Sequence, residues 1–317
     1  MSSSEFYYNS SDGKTKIHAV KWIPENEIKA VLQISHGMLE HIERYDEFAR
    51  YMSEHGVLTT GNDHIGHGSS ILSKEHRGFF DEYDGNNVLI EDMCSLMNLI
   101  KNEYPNKPYF ILGHSMGSFL TRQFITLYGN EIDGVIISGT GQQPLSHIKF
   151  GVLITKLIAR FRGWSYRSDF VNYLVIGGNN NKFKPARTKF DWLTRDDDIV
   201  DIYVSDERIN FIFTLNGFYN MFKGMLAMNE QERLKNIPVN LPMIFLSGGM
   251  DPVSRFGKDV IKAYEIYKNL NINNVLFKIY RDNRHEILNE IDREQVYEDI
   301  LIWMDGLLPE DENEYIN

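Results

Sequence analysis

The sequence contains little that would crosslink the chain or hold it in a membrane. Its 317 residues include one cysteine, Cys94, which excludes a disulfide within the chain and is typical of a reducing compartment. No run approaches the roughly 20 consecutive apolar residues of a membrane-spanning helix. The first residues, Met1 to Phe6, lack the basic start and apolar core of a secretory signal. We therefore expect a cytoplasmic protein.

Excess positive charge is also absent. The formal net charge is -11, which argues against nucleic acid as a partner because phosphate binding requires clustered cations. The charge is unevenly distributed, however. Residues 149–189 contain nine Lys or Arg against one acid, a local balance of +8, whereas residues 191–207 contain seven acids against one base, a balance of -6.

Apolar residues, by contrast, are plentiful enough for a large core. Hydrophobic residues make up 42% of the chain and aromatic residues 13%, so the chain can bury a substantial interior. This length accommodates one large α/β domain with an insertion, or two domains. The last residues, 309–317, carry four acids, and we expect this tail to fray.

Short apolar runs alternate with helical patterns along most of the chain. A β-hairpin is predicted around the turn at residues 10–13, because Asp-Gly favours the turn conformation. Further strands are predicted at residues 30–34, 57–60, 109–112, 134–138, 242–247 and 275–280. Because helices of 10 to 15 residues separate most of these strands, the pattern indicates βαβ units and a mostly parallel central sheet flanked by helices.

This alternation is interrupted once. Residues 141–236 show helical patterns and loops but no regular strand-helix repeat. We interpret residues 1–140 as the first part of an α/β core, residues 141–236 as an inserted helical cap, and residues 237–317 as the second part of the core. The sequence contains no internal repeat.

One motif stands between a predicted strand and a predicted helix. Gly113-His114-Ser115-Met116-Gly117 follows the apolar run at residues 109–112 and precedes an amphipathic segment at residues 118–128. A strand that turns directly into a helix brings the backbone on both sides of Ser115 close together, which favours glycine at both flanking positions. Gly-x-Ser-x-Gly in this setting is typical of the nucleophile elbow of α/β-hydrolases. Ser115 is therefore a candidate nucleophile.

A serine nucleophile needs a histidine to accept its proton and a carboxylate to orient that histidine. Asp251 follows the predicted strand 242–247, and His285 follows the next strand, 275–280. The order Ser, Asp, His is the order of this fold. Taken singly, Asp251 could be a turn residue before Pro252, and His285 could cap a helix or face solvent. Their joint placement after consecutive strands favours a triad of Ser115, His285 and Asp251.

Other histidines near the same sheet edge compete for the role of base. His114 lies within the elbow, where we expect it to point away from the position of a base. The others precede the serine: His36, His41, His64 and His67. The spacing of His64 and His67 would suit a metal, but no third ligand stands out, and we predict neither a metal site nor a cofactor.

Acyl transfer also needs two donors for the oxyanion of the tetrahedral intermediate. One candidate is the backbone amide of Met116, at the start of the elbow helix. The other is the amide of Met38, because Gly37 gives the loop after the predicted strand 30–34 the freedom to turn that amide inward. An ordinary strand-to-helix loop is the alternative for this segment.

Taken together, several motifs resemble the monoacylglycerol lipase and lysophospholipase branch of the α/β-hydrolases. They are His36-Gly37-Met38-Leu39-Glu40-His41, Arg44-Tyr45, Asp63-His64-Ile65-Gly66-His67-Gly68-Ser69, the elbow, and Asp251-Pro252. Leu39 stands where members often have glycine. The resemblance covers residues 15–305 and implies a cofactor-free serine hydrolase of lipid-like carboxylic esters, with a helical cap over an acyl tunnel.

The predicted cap begins with an amphipathic helix. Its apolar residues fall at helical spacing, and they are Phe150, Leu153, Ile154, Leu157, Ile158 and Phe161. Such a face could contact a lipid surface, roof the acyl pocket, or simply pack on the body of the protein. The basic half of the cap could attract anionic interfaces or phosphate-bearing lysolipids, or it could be neutralised internally by the acids at residues 196–201.

Two other functions are compatible with the same sequence. An esterase or thioesterase for smaller acyl groups would use the same fold and triad, since these do not fix the substrate. A non-catalytic binding protein would keep the pocket but would not need a complete triad. The oligomeric state is not indicated by any feature of the sequence.

Overall fold

The computed structural model describes residues 1–309, so nearly all of the tail expected to fray lies outside the described residues. The strands are β1 (Ser2–Asn9), β2 (Lys16–Ile23), β3 (Ala30–Ser35), β4 (Val57–Asn62), β5 (Tyr109–His114), β6 (Gly134–Ser138), β7 (Met243–Gly248) and β8 (Val275–Tyr280). Each strand that the sequence predicted is present, with ends that differ by a few residues.

Ten α-helices accompany the strands within residues 1–309. They are α1 (Asp46–Glu54), α2 (Gly85–Glu103), α3 (Met116–Tyr128), α4 (Leu145–Arg162), α5 (Asp169–Ile176), α6 (Asp197–Ser205), α7 (Leu215–Ala227), α8 (Gln231–Leu234), α9 (Lys258–Asn269) and α10 (Arg293–Asp305). No helix within residues 1–309 combines the length and apolar character needed to cross a membrane.

The strands form one eight-stranded sheet in the order β1-β2-β4-β3-β5-β6-β7-β8. The strands β1 and β2 form the predicted hairpin, and β2 pairs antiparallel with β4. All other neighbours are parallel, which confirms the predicted mostly parallel sheet. Parallel strands require crossover connections, and these place α2, α3 and α9 on one face and α1 and α10 on the other.

The core lies on both faces of this sheet. On β5, Ile111 belongs to the cluster under α2 and α3, and its neighbour Leu112 belongs to the cluster under α1 and α10. Successive side chains of a strand point to opposite faces, so a strand covered by helices on both faces is apolar throughout. This explains why the central strands appear in the sequence as uninterrupted apolar runs.

Five helices, α4 to α8, lie in the connection from β6 to β7. The first of them, α4, packs on α7, and its buried residues are Ile148, Gly151, Thr155 and Ala159. Of the apolar face predicted from the sequence, Phe150, Leu153, Leu157 and Phe161 are instead exposed, the last at 77%, whereas Ile154 and Ile158 are half-buried. The apolar face that the sequence predicted for this helix therefore does not simply pack on the protein body.

The turn from β5 into α3 has the tight geometry that its two glycines predict. Ser115 has a φ of 51°, a conformation that costs energy for a non-glycine residue and is found at functional sites. A Cβ on Gly113 would lie 2.5 Å from the carbonyl oxygen of Gly117. A Cβ on Gly117 would press on the backbone oxygens of Ser35 and His36, the latter at 2.6 Å. Glycine at residue 117 thus lets the start of α3 touch the loop after β3.

We expect Gly117→Ala to destabilise the protein by about 2 to 3 kcal/mol, because the added methyl group meets backbone and cannot be accommodated by a rotamer change. Urea unfolding of the two proteins measures this difference. Gly178→Ala is the matched control, since a Cβ there would approach only the Asn181 side chain, at 3.6 Å. An equal loss in both variants would contradict the account.

Candidate active site

Four strands deliver the predicted site residues to one edge of the sheet. Ser115 follows β5, Asp251 follows β7, His285 follows β8, and Met38 follows β3. Because these strands are parallel, their carboxyl ends meet at the same edge, where open α/β sheets bind ligands. Residues far apart in the sequence therefore lie together here.

Asp251 and His285 form a buried pair. Their side chains are 0% and 2% exposed, and Nδ1 of His285 lies 2.9 Å from Oδ1 of Asp251. The same carboxylate oxygen accepts the backbone N–H of Val253 at 2.8 Å. Burial disfavours the charged imidazole, but the charge of Asp251 and this hydrogen bond outweigh it, so the pKa of His285 is raised above its usual value.

Ser115 and His285 line the same cavity. Ser115 is half-buried, whereas the His285 ring is almost fully buried. Among the hydrogen bonds within residues 1–309, none joins the Ser115 hydroxyl to His285. Such contacts between a nucleophile and its base are often longer in a free enzyme and tighten with substrate.

The two residues predicted to supply the oxyanion amides also line this cavity. Met38 and Met116 both contribute to its wall beside Ser115. Neither backbone N–H donates a hydrogen bond to another group within residues 1–309. Two unpaired donors near a serine at a helix N-terminus are suited to a developing negative charge.

The loop that carries Met38 is strained at the next residue. Leu39 has a φ of 58°, in the left-handed region that costs a non-glycine residue about 1 to 2 kcal/mol. Its side chain is only 5% exposed and also lines the cavity. Burial of a leucine side chain contributes about 1.5 to 3 kcal/mol, which offsets the strain and explains how leucine is accommodated in a position favourable to glycine.

The histidines that precede the serine are buried in structural positions. His36, His64 and His67 form a ring cluster, with centroids of His36 and His64 4.2 Å apart. His36 Nε2 accepts the backbone N–H of His64 at 2.9 Å, and its Nδ1 lies 2.8 Å from the carbonyl oxygen of Gly37. Burial lowers the pKa of His64 to about 3 and that of His67 to about 4, so these rings are neutral and help to hold the Met38 loop.

His114 lies within the elbow and is not among the residues that line the cavity with Ser115. Its ring centroid lies 4.8 Å from that of His285. Burial and the neighbouring His285 lower the pKa of His114 to about 3. The ring is therefore a neutral neighbour of His285.

Three charged residues beside the cavity have no role predicted from the sequence. Arg44 donates two hydrogen bonds to the Glu286 carboxylate, at 2.8 and 2.7 Å, and its Nη1 lies 3.6 Å from Glu40. Burial opposes the charge of Glu286, but Arg44 overcomes it and lowers the pKa of Glu286. Burial raises the pKa of Glu40 to about 7 despite Arg44. Glu40 and the Arg44-Tyr45 pair belong to the motifs that resemble the lipase family. Those motifs were the signal in the sequence that could have identified Glu40 and Arg44.

Glu40, His114 and Glu286 place three potential metal ligands within 4.8 Å of one another. Arg44 already lies against both carboxylates and supplies the positive charge that they require. Because a divalent cation at this point would face the guanidinium, the group suits an internal ion-pair network better than a metal. The absence of a metal and of a cofactor remains a prediction.

The cavity above Ser115 has a volume of about 420 Å³. Its wall is mostly apolar, and about half of the lining residues come from α3, α4, α5 and α7. Representative lining residues are Phe119, Ile148, Val171, Val175, Met221 and Met225. An apolar pocket that opens on a few convergent polar groups is typical of a small-molecule site.

Known proteins resemble the chain along most of its length. A monoglyceride lipase homologue of Monkeypox virus is 29% identical over 91% of this chain and 94% of its own. A monoacylglycerol lipase of Mycolicibacterium smegmatis is 23% identical over 89% of this chain and 90% of its own. A solved structure, a thermostable carboxyl esterase from Bacillus coagulans in complex with glycerol, has a TM-score of 0.89 and 26% identity and covers 97% of this chain and 99% of its own.

These similarities confirm the α/β-hydrolase fold and the resemblance predicted from the motifs. The lipases and esterases among them agree with the predicted class, a carboxylic ester hydrolase. The family model for the serine aminopeptidase S33 hydrolases matches residues 26–292, a range that includes the elbow, Asp251 and His285. The chain is therefore a member of the serine aminopeptidase S33 (Hydrolase_4) family of α/β-hydrolases.

Proposed function

We propose that the chain is a serine hydrolase that cleaves carboxylic esters of lipid-like acyl groups, of the monoacylglycerol or lysophospholipid type. The observation that carries this proposal is a buried Asp251–His285 pair whose histidine lines the same apolar cavity as Ser115. The similarity to monoglyceride and monoacylglycerol lipases supports glycerol monoesters as the first substrates to test.

In the proposed mechanism Ser115 Oγ attacks the ester carbonyl while His285 Nε2 accepts its proton. Asp251 fixes the tautomer by accepting from Nδ1 and stabilises the imidazolium that forms. The amides of Met38 and Met116 bind the oxyanion. The intermediate collapses when His285 gives the proton to the departing alcohol, and water then hydrolyses the acyl-enzyme with His285 again as base.

Because the cavity wall is mostly apolar, we propose that the buried part of the substrate is an acyl chain and not a polar group. We also propose that residues 141–236 act as the cap, since α4, α5 and α7 contribute much of the apolar wall above Ser115. Binding energy from a buried acyl chain can orient the ester for attack.

The family is named for a serine aminopeptidase. Preferential hydrolysis of amino-acid p-nitroanilides over esters would overturn the ester assignment.

Smaller acyl esters or thioesters are the alternative substrates, and the likeness to a carboxyl esterase favours their inclusion. Comparison of glycerol monoesters with short p-nitrophenyl esters and acyl thioesters separates the candidates. A non-catalytic binding protein would not react with a fluorophosphonate probe, whereas the proposed enzyme incorporates the probe at Ser115.

We expect Ser115→Ala to lower kcat for p-nitrophenyl ester hydrolysis by about four orders of magnitude or more, because the nucleophile is lost while the fold is kept. The measurement pairs the initial rate with the thermal unfolding midpoint of each protein. Ser205→Ala, at an exposed position of α6, is the control. Substantial activity in a folded Ser115→Ala protein would mean that the elbow serine is not the nucleophile.

We expect kcat/KM to rise with pH through the deprotonation of His285, with a midpoint above 6.5 because Asp251 raises the pKa of this imidazole. Below the midpoint the ring carries a proton and cannot act as base. In Asp251→Asn the charge is removed, so the midpoint moves to lower pH and kcat falls by about 10⁴-fold. A pH-rate profile of each protein tests this, and an unchanged midpoint in Asp251→Asn would refute the assigned pair.

Exposed apolar and cationic groups support contact of the cap with a lipid interface. Phe150, Leu153, Leu157 and Phe161 on α4 are exposed. Lys149, Lys156, Arg160 and Arg162 on the same helix are exposed as well, and none forms a salt bridge within residues 1–309. Arg187, near the end of the basic stretch, pairs with Asp197 and Asp201 of the acidic run. The acidic run therefore neutralises Arg187 but not the four cations of α4, which remain available to an anionic surface.

We expect the protein to sediment with anionic vesicles more than with neutral vesicles at low salt. Charge reversal of two residues, Lys156→Glu with Arg160→Glu, should weaken binding to anionic vesicles about tenfold or more, because each cation near the surface contributes about 1 kcal/mol. Lys262→Glu with Lys268→Glu on α9 gives the same charge change elsewhere. Equal binding of the unaltered protein to both vesicle types would exclude the electrostatic contact.

A further inference from the structure

One aromatic side chain of the inserted segment lies against the proposed base. The ring centroids of Trp192 and His285 are 5.0 Å apart, with an angle of 39° between the ring planes. Trp192 is 7% exposed, and it also lines the cavity beside Ser115. It has no part in the triad.

Backbone hydrogen bonds fix the position of this indole relative to the imidazole. The N–H of His285 donates to the carbonyl oxygen of Trp192 at 3.4 Å, and the N–H of Glu286 donates to that of Leu193 at 2.7 Å. Arg284 adds a bond from its guanidinium to the carbonyl oxygen of Thr194 at 2.9 Å. The segment that precedes α6 thus pairs directly with the loop that holds the base.

The indole is also packed from its other sides. Trp192, Leu193, Tyr203 and Ile209 form a separate apolar cluster, against which Phe183, Phe190 and Val253 pack. Such packing limits the rotamers of Trp192 and keeps water from the ring. The ring is therefore held next to His285 before any substrate binds.

An indole face attracts a cation within about 6 Å of its centroid, and the attraction is strongest where water is excluded. His285 is neutral while it waits to act as base and becomes a cation when Ser115 attacks. The attraction is therefore stronger in the transition state than in the ground state, which is the condition for an effect on kcat.

Other charged and titratable groups face His285 from the elements packed around it. They are Asp251 after β7, His114 on β5, Glu40 and Arg44 after β3, and Glu286 beside it. Asp251 supplies the largest favourable charge, and His114 is neutral. A variant at residue 192 leaves all five of these groups in place, so its effect can be separated from theirs.

We propose that Trp192 is a positioning residue that holds the His285 imidazole and stabilises its protonated form during the reaction. The inference rests on the proposed function, in which His285 is the general base. In addition, the position and the protonation of His285 would depend on the segment inserted between β6 and β7.

Kinetics provide the first test. In Trp192→Leu we expect kcat to fall about 3- to 30-fold and the midpoint of the pH-rate profile to fall by about one pH unit, because the cation loses its aromatic neighbour. Trp192→Phe keeps an aromatic face at this position, so its kcat and its pH midpoint should lie close to those of the unaltered protein. Phe183→Leu removes a ring from the same cluster without a ring contact to His285, so its pH midpoint should be unchanged.

Fluorescence provides a test that does not depend on activity. A protonated imidazole quenches indole emission more strongly than a neutral one. The emission of the free protein should therefore increase as the pH is raised through the His285 pKa. This transition should disappear in Trp192→Phe and in His285→Gln, which also distinguishes it from titration of Glu40. The other three tryptophans, Trp22, Trp164 and Trp303, are present in each variant.

The inference is overturned if Trp192→Leu, or Trp192→Phe should the former not fold, retains the emission transition of the unaltered protein. It is also overturned if Trp192→Leu loses activity with an unchanged pH midpoint, since that result indicates a purely structural or substrate-binding effect. Failure of the unaltered protein to react with a fluorophosphonate at Ser115 would refute the proposed function instead, and the emission test would still report on the Trp192–His285 pair.

Discussion

A fully buried carboxylate is the constraint on which the site depends. Asp251 is 0% exposed, and one of its oxygens accepts from both His285 and Val253. Removing either partner from a buried charge is costly, because the charge cannot recover its hydration. The loops after β7 and β8 are therefore held to each other by an interaction that the fold needs whether or not substrate is present.

The surrounding loops are connected to this pair by a second set of buried interactions. Arg44 links the loop after β3 to Glu286, the residue next to His285. From the inserted segment, Arg195 bonds to Glu290 at 2.8 Å, and Glu290 in turn accepts the backbone N–H of Arg284. The loop of the base is thus bound on one side to the proposed oxyanion loop and on the other to the proposed cap. A change in the cap can be transmitted to the imidazole through contacts that already exist.

Much of this arrangement could be predicted from local sequence. The elbow, the apolar parallel strands, and the carboxylate and histidine after consecutive strands each follow from short-range chemistry and from the topology of parallel sheets. The Arg44–Glu286 pair joins residues 242 positions apart, and no periodicity relates them. The contact of Trp192 with His285 likewise depends on how the inserted segment returns to the sheet edge.

The helix α4 shows a different limit of sequence reasoning. Helical spacing correctly placed Phe150, Leu153, Leu157 and Phe161 together, but spacing does not tell which face of a helix meets solvent. Because Gly151, Thr155 and Ala159 face the body of the protein, close packing on α7 is achieved by the small residues. Phe150, Leu153, Leu157 and Phe161 then lie at the surface, whereas Ile148 is buried with the small residues. This outcome depends on the partner helix.

The triad proposed here requires Ser115, His285 and Asp251 to act together beside an apolar cavity. A crystal structure of the protein after reaction with a long-chain alkyl fluorophosphonate is the decisive test. We expect phosphorus bonded to Ser115 Oγ, its oxygen within hydrogen-bond distance of the Met38 and Met116 amides, His285 Nε2 beside the adduct, and the alkyl chain in the cavity. An adduct on another residue, or a His285 ring out of reach of the phosphonate with the Asp251 bond broken, would contradict it.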